Sequence, residues 1–195
     1  AAVAGGLRVV VLVGNRDFLL GPEFVDATGT ELVAGGYRLQ LGAVDTLLLH
    51  GDELCQNDLP YQRAKRWLRH PLTRWLARRL PVSWAQRAAE KARQKSQQVI
   101  HEGDQTRFLP SERAVATAFA SGAQRLVFGH IHRHARGPFA NGCYHVLPAF
   151  DVSAVGLLVG PGEWRPVCFR AKGAAPGAVA TADEVALPPA CVWSA

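Results

Sequence analysis

The chain has 195 residues, of which 48% are hydrophobic and 19% charged, and it contains no methionine. That length and balance suit one globular domain with a sizeable core, and they speak against a disordered tail, a collagen-like fibre and a small disulfide scaffold. Twenty-two Lys and Arg against 16 acids give a formal charge of +6. Such a surplus favours an anionic partner: nucleic acid, acidic lipid or a phosphorylated small molecule.

Cys55, Cys143, Cys168 and Cys191 are scattered and form no Cys-x-x-Cys pair, so neither a zinc knuckle nor a dense disulfide framework is expected. A reducing cytoplasm is the expected setting. No apolar run reaches the roughly 18 residues of a membrane span, and the opening residues lack the features of a signal peptide. The chain reads as soluble, with room for contact at a membrane surface.

In chain order, residues 8–13 (RVVVLV) form a continuous β-branched run that ends in Gly14-Asn15, and residues 46–50 (TLLLH) form a second that ends in Gly51-Asp52. Runs that are apolar on both faces suit strands buried between layers. Residues 59–100 are rich in Arg, Ala, Leu and Trp, with Pro60, Pro71 and Pro81 as breakers, and read as two or three short helices. An Ala-rich helix follows, with Ser111 as its N-cap, and stops before Gly122. Residues 125–128 (RLVF) give a third strand that ends in Gly129-His130. Strands are also expected over residues 143–147, 154–159 and 164–170, the last two forming a hairpin. Residues 171–195 show little periodicity and are expected to be largely disordered or loosely packed.

Three strands thus stop at Gly beside a polar residue, as when α/β proteins place chemistry at the C-terminal edge of a sheet. Asn15, His50, His130 and His132 stand at or just past these ends. Amide oxygen and imidazole nitrogen together suit a divalent transition metal such as manganese, iron or zinc. In an extended backbone, His130 and His132 would share a face, so one segment could serve two metals. One histidine by itself is more often a satisfied core or surface residue. Four ligands at three strand ends favour a metal site.

The runs VGNRDFLLG (13–21), LLLHGDELCQNDLPYQ (47–62) and VFGHIHR (127–133) resemble the UDP-2,3-diacylglucosamine hydrolases, calcineurin-like metallophosphoesterases of lipid A biosynthesis. Gly-Asn with Gly-His-x-His alone would indicate only the wider superfamily. Arg16, where most of that superfamily has His, selects this branch, together with Asp17-Phe18-Leu19-Leu20-Gly21 and His50-Gly51-Asp52-x-Leu54-Cys55. The resemblance covers roughly residues 8–170. It implies an α/β fold: a sandwich of two mixed sheets flanked by helices, with an inserted helical cap at about residues 59–102.

The resemblance further implies two manganese ions, with Asn15, His50 and His130 on one metal and His132 on the other. Arg16 would sit beside them, where its planar charged fork suits phosphate oxygens and could offset charge in the transition state. Substrate contacts would come from Asn15, Arg16, Asp58, Ser96 and His130. The competing reading of Asp58 is a helix N-cap before Pro60. The implied reaction is hydrolysis of the pyrophosphate of UDP-2,3-diacylglucosamine to UMP and 2,3-diacylglucosamine 1-phosphate, by a cytoplasmic enzyme peripheral to the inner membrane. The alternatives are a metallophosphoesterase for nucleotides or phosphoproteins, or a non-catalytic basic binding remnant.

Two departures from the family pattern stand out. The family's further Asn and Lys substrate contacts align with residues 100–103, where neither type occurs. The family's opening Asp-x-His and Gly-Asp strands do not occur before Asn15. The chain instead opens as a helix end with a glycine stop. The expectation is therefore an N-terminally truncated domain over residues 1–170, with about 60 residues, or two βα units, upstream.

From Asp58 to Ser96 there are eleven Lys or Arg and two acids, with Trp67, Trp75 and Trp84 interleaved. Leu68, Leu72, Trp75, Leu76 and Leu80 recur at helical spacing. An apolar stripe margined by Arg and Trp suits an anionic bilayer and a lipid substrate, whereas the plainer reading is an amphipathic helix packed on the core. Nucleic acid is not expected, because no RNA- or DNA-binding motif accompanies the basic stretch.

Overall fold

The computed structural model describes residues 3–15, 17, 19–81, 83–84, 87, 90–91, 109–131, 134–148, 154–160, 163–171 and 180–184. The chain divides into two compact units, each made of two segments: Ala1–Ala34 with Leu54–Ser111, and Gly35–Glu53 with Glu112–Ala195.

In the first unit a short 3-10 turn, Val3–Gly5, ends at Gly6, whose N–H bonds back to the Val3 carbonyl at 2.9 Å. Strand β1 (Val10–Val13) then leads through helix α1 (Pro22–Thr28) to β2 (Glu31–Ala34), and the two strands pair in parallel with Val10 opposite Glu31. Proline in the first turn starts α1. Gly29, at φ 70°, ends it and donates its N–H to the Val25 carbonyl at 2.7 Å, the left-handed C-terminal stop that glycine supplies. Arg8 grips the Glu31 carboxylate at 2.7 and 2.9 Å. That hydrogen-bonded guanidinium holds the Glu31 carboxyl below its ordinary value.

The basic stretch of this unit breaks at its prolines, as the sequence predicts, into α2 (Leu59–Leu68) and α3 (Pro71–Arg79). Asp58 caps α2 by accepting the Tyr61 N–H at 3.3 Å, and His70 caps α3 by accepting the Leu72 N–H on Nδ1 at 3.3 Å. Each cap satisfies a donor that the first helical turn leaves orphaned. Both helices leave large apolar side chains in solvent, among them Trp67 at 70% exposure, Leu72 and Trp75. The calls on residues 92–108 within the expected cap lie outside the described residues.

The second unit carries a five-stranded mixed sheet of β3 (Tyr37–Leu41), β4 (Val44–Leu49), β5 (Arg125–Phe128), β6 (Ala135–Phe139) and β7 (Gly142–Val146), in the order β3-β4-β5-β7-β6. Its central pairs, β4 with β5 and β5 with β7, are parallel. The continuous apolar runs lie there: Leu126, Phe128 and Val146 are almost fully buried, and Thr46 with them. Helix α4 (Glu112–Ala120) begins just after Ser111, buries Ala114 and Val115, and ends before Gly122, as expected. Beyond α4 the Ser121 carbonyl accepts Arg38 Nη1 at 2.7 Å, while Arg38 Nε also donates to Asp45 at 2.9 Å.

A second sheet in this unit, β8 (Ala154–Gly160), β9 (Glu163–Ala171) and β10 (Ala180–Glu184), is wholly antiparallel. Its β8-β9 hairpin is the one expected. Trp164 of β9 stacks on His145 of β7 at 5.5 Å, and the Arg125 guanidinium lies 3.7 Å from the same indole.

Two differences concern the expected architecture. The α/β class and the mixed sheet are as predicted, but β1 pairs with β2 in a two-stranded sheet and does not share the sheet of β4 and β5. In the tail, residues 180–184 are a strand and not a loose segment. The pairing of β10 with β9 uses backbone hydrogen bonds, which need no side-chain periodicity to form. Among the described residues no helix is long and apolar enough to cross a membrane.

Candidate metal centre

The register of the parallel pair builds the centre. Leu49 of β4 lies opposite Phe128 of β5, so the next residues, His50 and Gly129, leave the sheet side by side. The Gly129 N–H donates to the His50 carbonyl at 3.1 Å, which extends the ladder one step past the strands. One residue on, His130 brings its ring to 5.2 Å from that of His50, centroid to centroid, with the planes tilted by 60°.

Gly51 makes this approach possible. At φ 112° it occupies backbone space that side chains disfavour, and a Cβ there would stand 2.8 Å from the Gly129 carbonyl oxygen and 3.1 Å from the His130 Cβ. Only glycine avoids both penalties. Glu53 Oε2 accepts the Gly51 N–H at 3.1 Å and so fixes the turn from its other side.

His130 itself has φ 69°, and the Ile131 N–H bonds to the Gly129 carbonyl at 2.8 Å. This is a γ-turn centred on His130, a rare and strained conformation for a residue with a side chain. It corrects the expectation of an extended His130-x-His132 segment. The alternation argument needs β-like backbone, and the left-handed φ removes it at His130. His132 lies outside the described residues.

The donor chemistry of the pair fits a transition metal. His50 Nε2 is buried and makes no hydrogen bond among the described residues, which leaves a ring nitrogen open to a metal. Among the described residues no group of three or more His, Cys, Asp or Glu comes together, so a metal held here would need ligands besides this pair.

Of the other expected site residues, Arg16 and Ser96 lie outside the described residues. Asn15 and Asp58 belong to the first unit. Asn15 is half-buried in the bend that follows β1. The residue just before it is held on both sides: the Gly14 N–H donates to Asp17 Oδ2 at 3.4 Å, and the Gly14 carbonyl accepts from Arg69 Nη2 at 3.4 Å. Asp58 performs the capping role described above. In the sequence Gly51 and Asp17 stand within the strand-end motifs without a role of their own, and Arg69 is one basic residue among many. A glycine directly after a strand-end histidine was the available signal for the first.

On β7, burial pushes the His145 imidazole down from its ordinary value to about 4, and the positive charges of Arg125, Arg136 and His134 add to that effect.

A parallel strand pair ending in two facing histidines marks an α/β protein with its candidate site at a sheet edge. Within that class the chain is a homologue of the UDP-2,3-diacylglucosamine hydrolases. It is 39% identical to the UDP-2,3-diacylglucosamine hydrolase of Pseudomonas putida strain W619 over 131 residues, covering 67% of this chain and 55% of the relative. The enzyme of that name from Pseudomonas syringae pv. tomato is 37% identical over 162 residues, covering 82% of this chain and 60% of the relative. The chain thus spans a little over half the length of these curated relatives. No family model matches the chain. A solved structure of wild-type Vps29 complexed with Zn2+ from Entamoeba histolytica has a TM-score of 0.36 at 13% identity, over 92% of this chain and 83% of that one.

Proposed function

We propose that the protein hydrolyses the pyrophosphate of UDP-2,3-diacylglucosamine, releasing UMP and 2,3-diacylglucosamine 1-phosphate, as a manganese-dependent enzyme of lipid A biosynthesis. The observation that carries this reading is the facing pair His50 and His130 in a chain homologous to hydrolases of that name. In this reading Asn15, His50 and His130 hold one manganese and His132 the other. Bound metal supplies Lewis acidity toward a phosphate oxygen and a water acidic enough to ionise near neutral pH.

The chain's own residues account for the remaining chemistry. One water is consumed: its oxygen bonds to phosphorus, the pyrophosphate P–O bond breaks, and each product leaves with a phosphate. Arg16 binds the phosphate oxygens through its fixed fork and offsets the charge that builds on them. The strained turn at His130 and the locked Gly51 hold two imidazoles in place before substrate arrives, so little reorganisation is needed on binding. Asp58 and Ser96 serve as further substrate contacts.

The exposed Trp67, Leu72, Trp75 and Leu76 on the basic helices α2 and α3 support a place at the inner-membrane surface, with the protein peripheral to the bilayer on its cytoplasmic side. The deciding measurement is UMP release by the protein in its full natural length, with manganese, from the diacylated substrate and from UDP-N-acetylglucosamine. Release that depends on manganese and strongly favours the acylated substrate is expected. Equal rates on both would move the assignment to a general metallophosphoesterase. Failure of the protein to float with anionic liposomes would remove the membrane part alone.

A further inference from the structure

The turn that follows β4 holds two buried polar atoms that make no hydrogen bond among the described residues: His50 Nε2 and Glu53 Oε1. The other oxygen of the same carboxylate, Glu53 Oε2, accepts the Gly51 N–H at 3.1 Å. A carboxylate offers about four acceptor positions, so one backbone donor leaves most of that capacity unmet. Burying such an oxygen is costly, and costlier still for the charge it carries.

Glu53 and His50 do not satisfy each other. A hydrogen bond between Oε1 and Nε2 would remove both orphans, yet neither atom makes one. A divalent cation on Nε2 answers both needs. It takes the lone pair of the imidazole, and its charge offsets that of a carboxylate tied to the very peptide that joins His50 to Gly51. The bond to Gly51 adds a mechanical part. Gly51 is required for the close approach of His50 to His130, but glycine is also the residue with the most backbone freedom to lose. The carboxylate takes up part of that freedom by holding its N–H.

We infer that Glu53 is a positioning residue of the candidate metal centre: Oε2 fixes the His50–Gly51 turn, and the carboxylate charge raises the affinity of the His50 imidazole for a divalent cation. Glu53 acts through His50 and is not itself a ligand, in keeping with the lack of any group of three or more such donors among the described residues. Carboxylates placed behind metal ligands in this way commonly contribute about ten- to a hundredfold to metal affinity. The inference rests on the reading of His50 as a metal ligand given above.

The test uses the protein in its full natural length, stripped of metal. Manganese is titrated while the free ion is followed by electron paramagnetic resonance, and melting without metal is measured in parallel. E53Q keeps an oxygen for the Gly51 N–H but no charge, so its metal-free Tm should stay close to that of the wild type while manganese affinity falls about tenfold. E53D should retain more affinity than E53A. E112Q, which removes an exposed carboxylate from the first turn of α4, should leave affinity unchanged, and H50A should lower it more than E53Q does. If H50A binds as the wild type does, His50 is no ligand, and the inference falls with the reading beneath it. If H50A loses affinity and E53Q does not, that reading stands and the inference alone is overturned, with Glu53 reduced to a lock on the turn. Equal losses in E53Q and E112Q would overturn it as an effect of net charge. Should E53Q not fold, E53D and E53A carry the same test, because both shorten the tether and only one keeps the charge; equal affinities in the two would overturn the inference.

Discussion

His50 and His130 face each other 5.2 Å apart because the parallel register of β4 and β5 delivers them to one edge, and because Gly51 leaves nothing between them. The relationship joins three scales: residue choice at one turn, strand pairing across the sheet, and the spacing of two donor groups. A shift of either strand by one residue would turn one imidazole to the opposite face.

Gly51 is therefore expected to be intolerant of even a methyl group. G51A places a carbon 2.8 Å from the backbone oxygen of Gly129 at φ 112°, and the neighbour is backbone, which cannot swing away. A loss of about 2–4 kcal/mol follows from strain and displacement together. Thermal melting should show a clear drop in Tm, with weaker manganese uptake in titration calorimetry. A variant with wild-type melting and uptake would refute the packing argument.

The γ-turn at His130 separates conformation from ligation. H130G removes the imidazole yet relieves the backbone, so stability should change by less than about 1 kcal/mol, relief being offset by the looser unfolded chain. H130V keeps a side chain at a left-handed φ and branches it at Cβ, so about 1–3 kcal/mol should be lost. Both should lose metal affinity. Paired denaturant melts and manganese titrations check this, and equal stability losses in the two variants would count against a strained turn.

What the sequence makes legible depends on how locally each feature is determined. β1, β4 and β5 are evident as continuous apolar runs, and His50 and His130 as polar residues at their ends. Helix α1 is seven residues long and β2 only four, and they passed unassigned although Pro22 and Gly29 bracket the helix. β3 carries a period-two pattern, Tyr37, Leu39 and Leu41 against Arg38 and Gln40, that was equally readable. The sheet partner of β1 and the left-handed turn at His130 were not legible in the same way. Pairing choice and φ sign at one residue are settled by neighbours distant in sequence, and no local pattern encodes them.

Asp58 offers a test that separates a structural part from a functional one. As the cap of α2, its Oδ1 accepts the Tyr61 N–H, so D58A should cost about 1 kcal/mol, while D58N, itself a good cap, should cost little. If Asp58 also contacts substrate, D58N should still raise KM. Melting curves read the first role and steady-state kinetics the second. Unchanged kinetics in D58N would leave Asp58 a cap alone.

The acid limb of the stability curve should carry the signature of His145. Its imidazole is pushed down to about 4, first by burial and then by Arg125, Arg136 and His134, while in the unfolded chain it titrates near its ordinary 6.5. Above that value both states are neutral and the residue leaves stability unchanged. As pH falls from about 6.5 towards 4, the unfolded chain takes up a proton that the folded chain refuses, so stability falls across that window and levels off below it. The ring is partly exposed, so solvent screening reduces the loss to about 1–2 kcal/mol. H145Q, which keeps a polar side chain without the titration, should flatten this limb. Urea melts at pH 7 and pH 4.5 give the comparison directly: the difference in stability between the two pH values should shrink in H145Q. Trp164, stacked on the ring at 5.5 Å, provides a second readout, since protonation of His145 should quench its fluorescence near pH 4 in the wild type and not in the variant. An acid limb of the same slope in both proteins would show that other groups govern it.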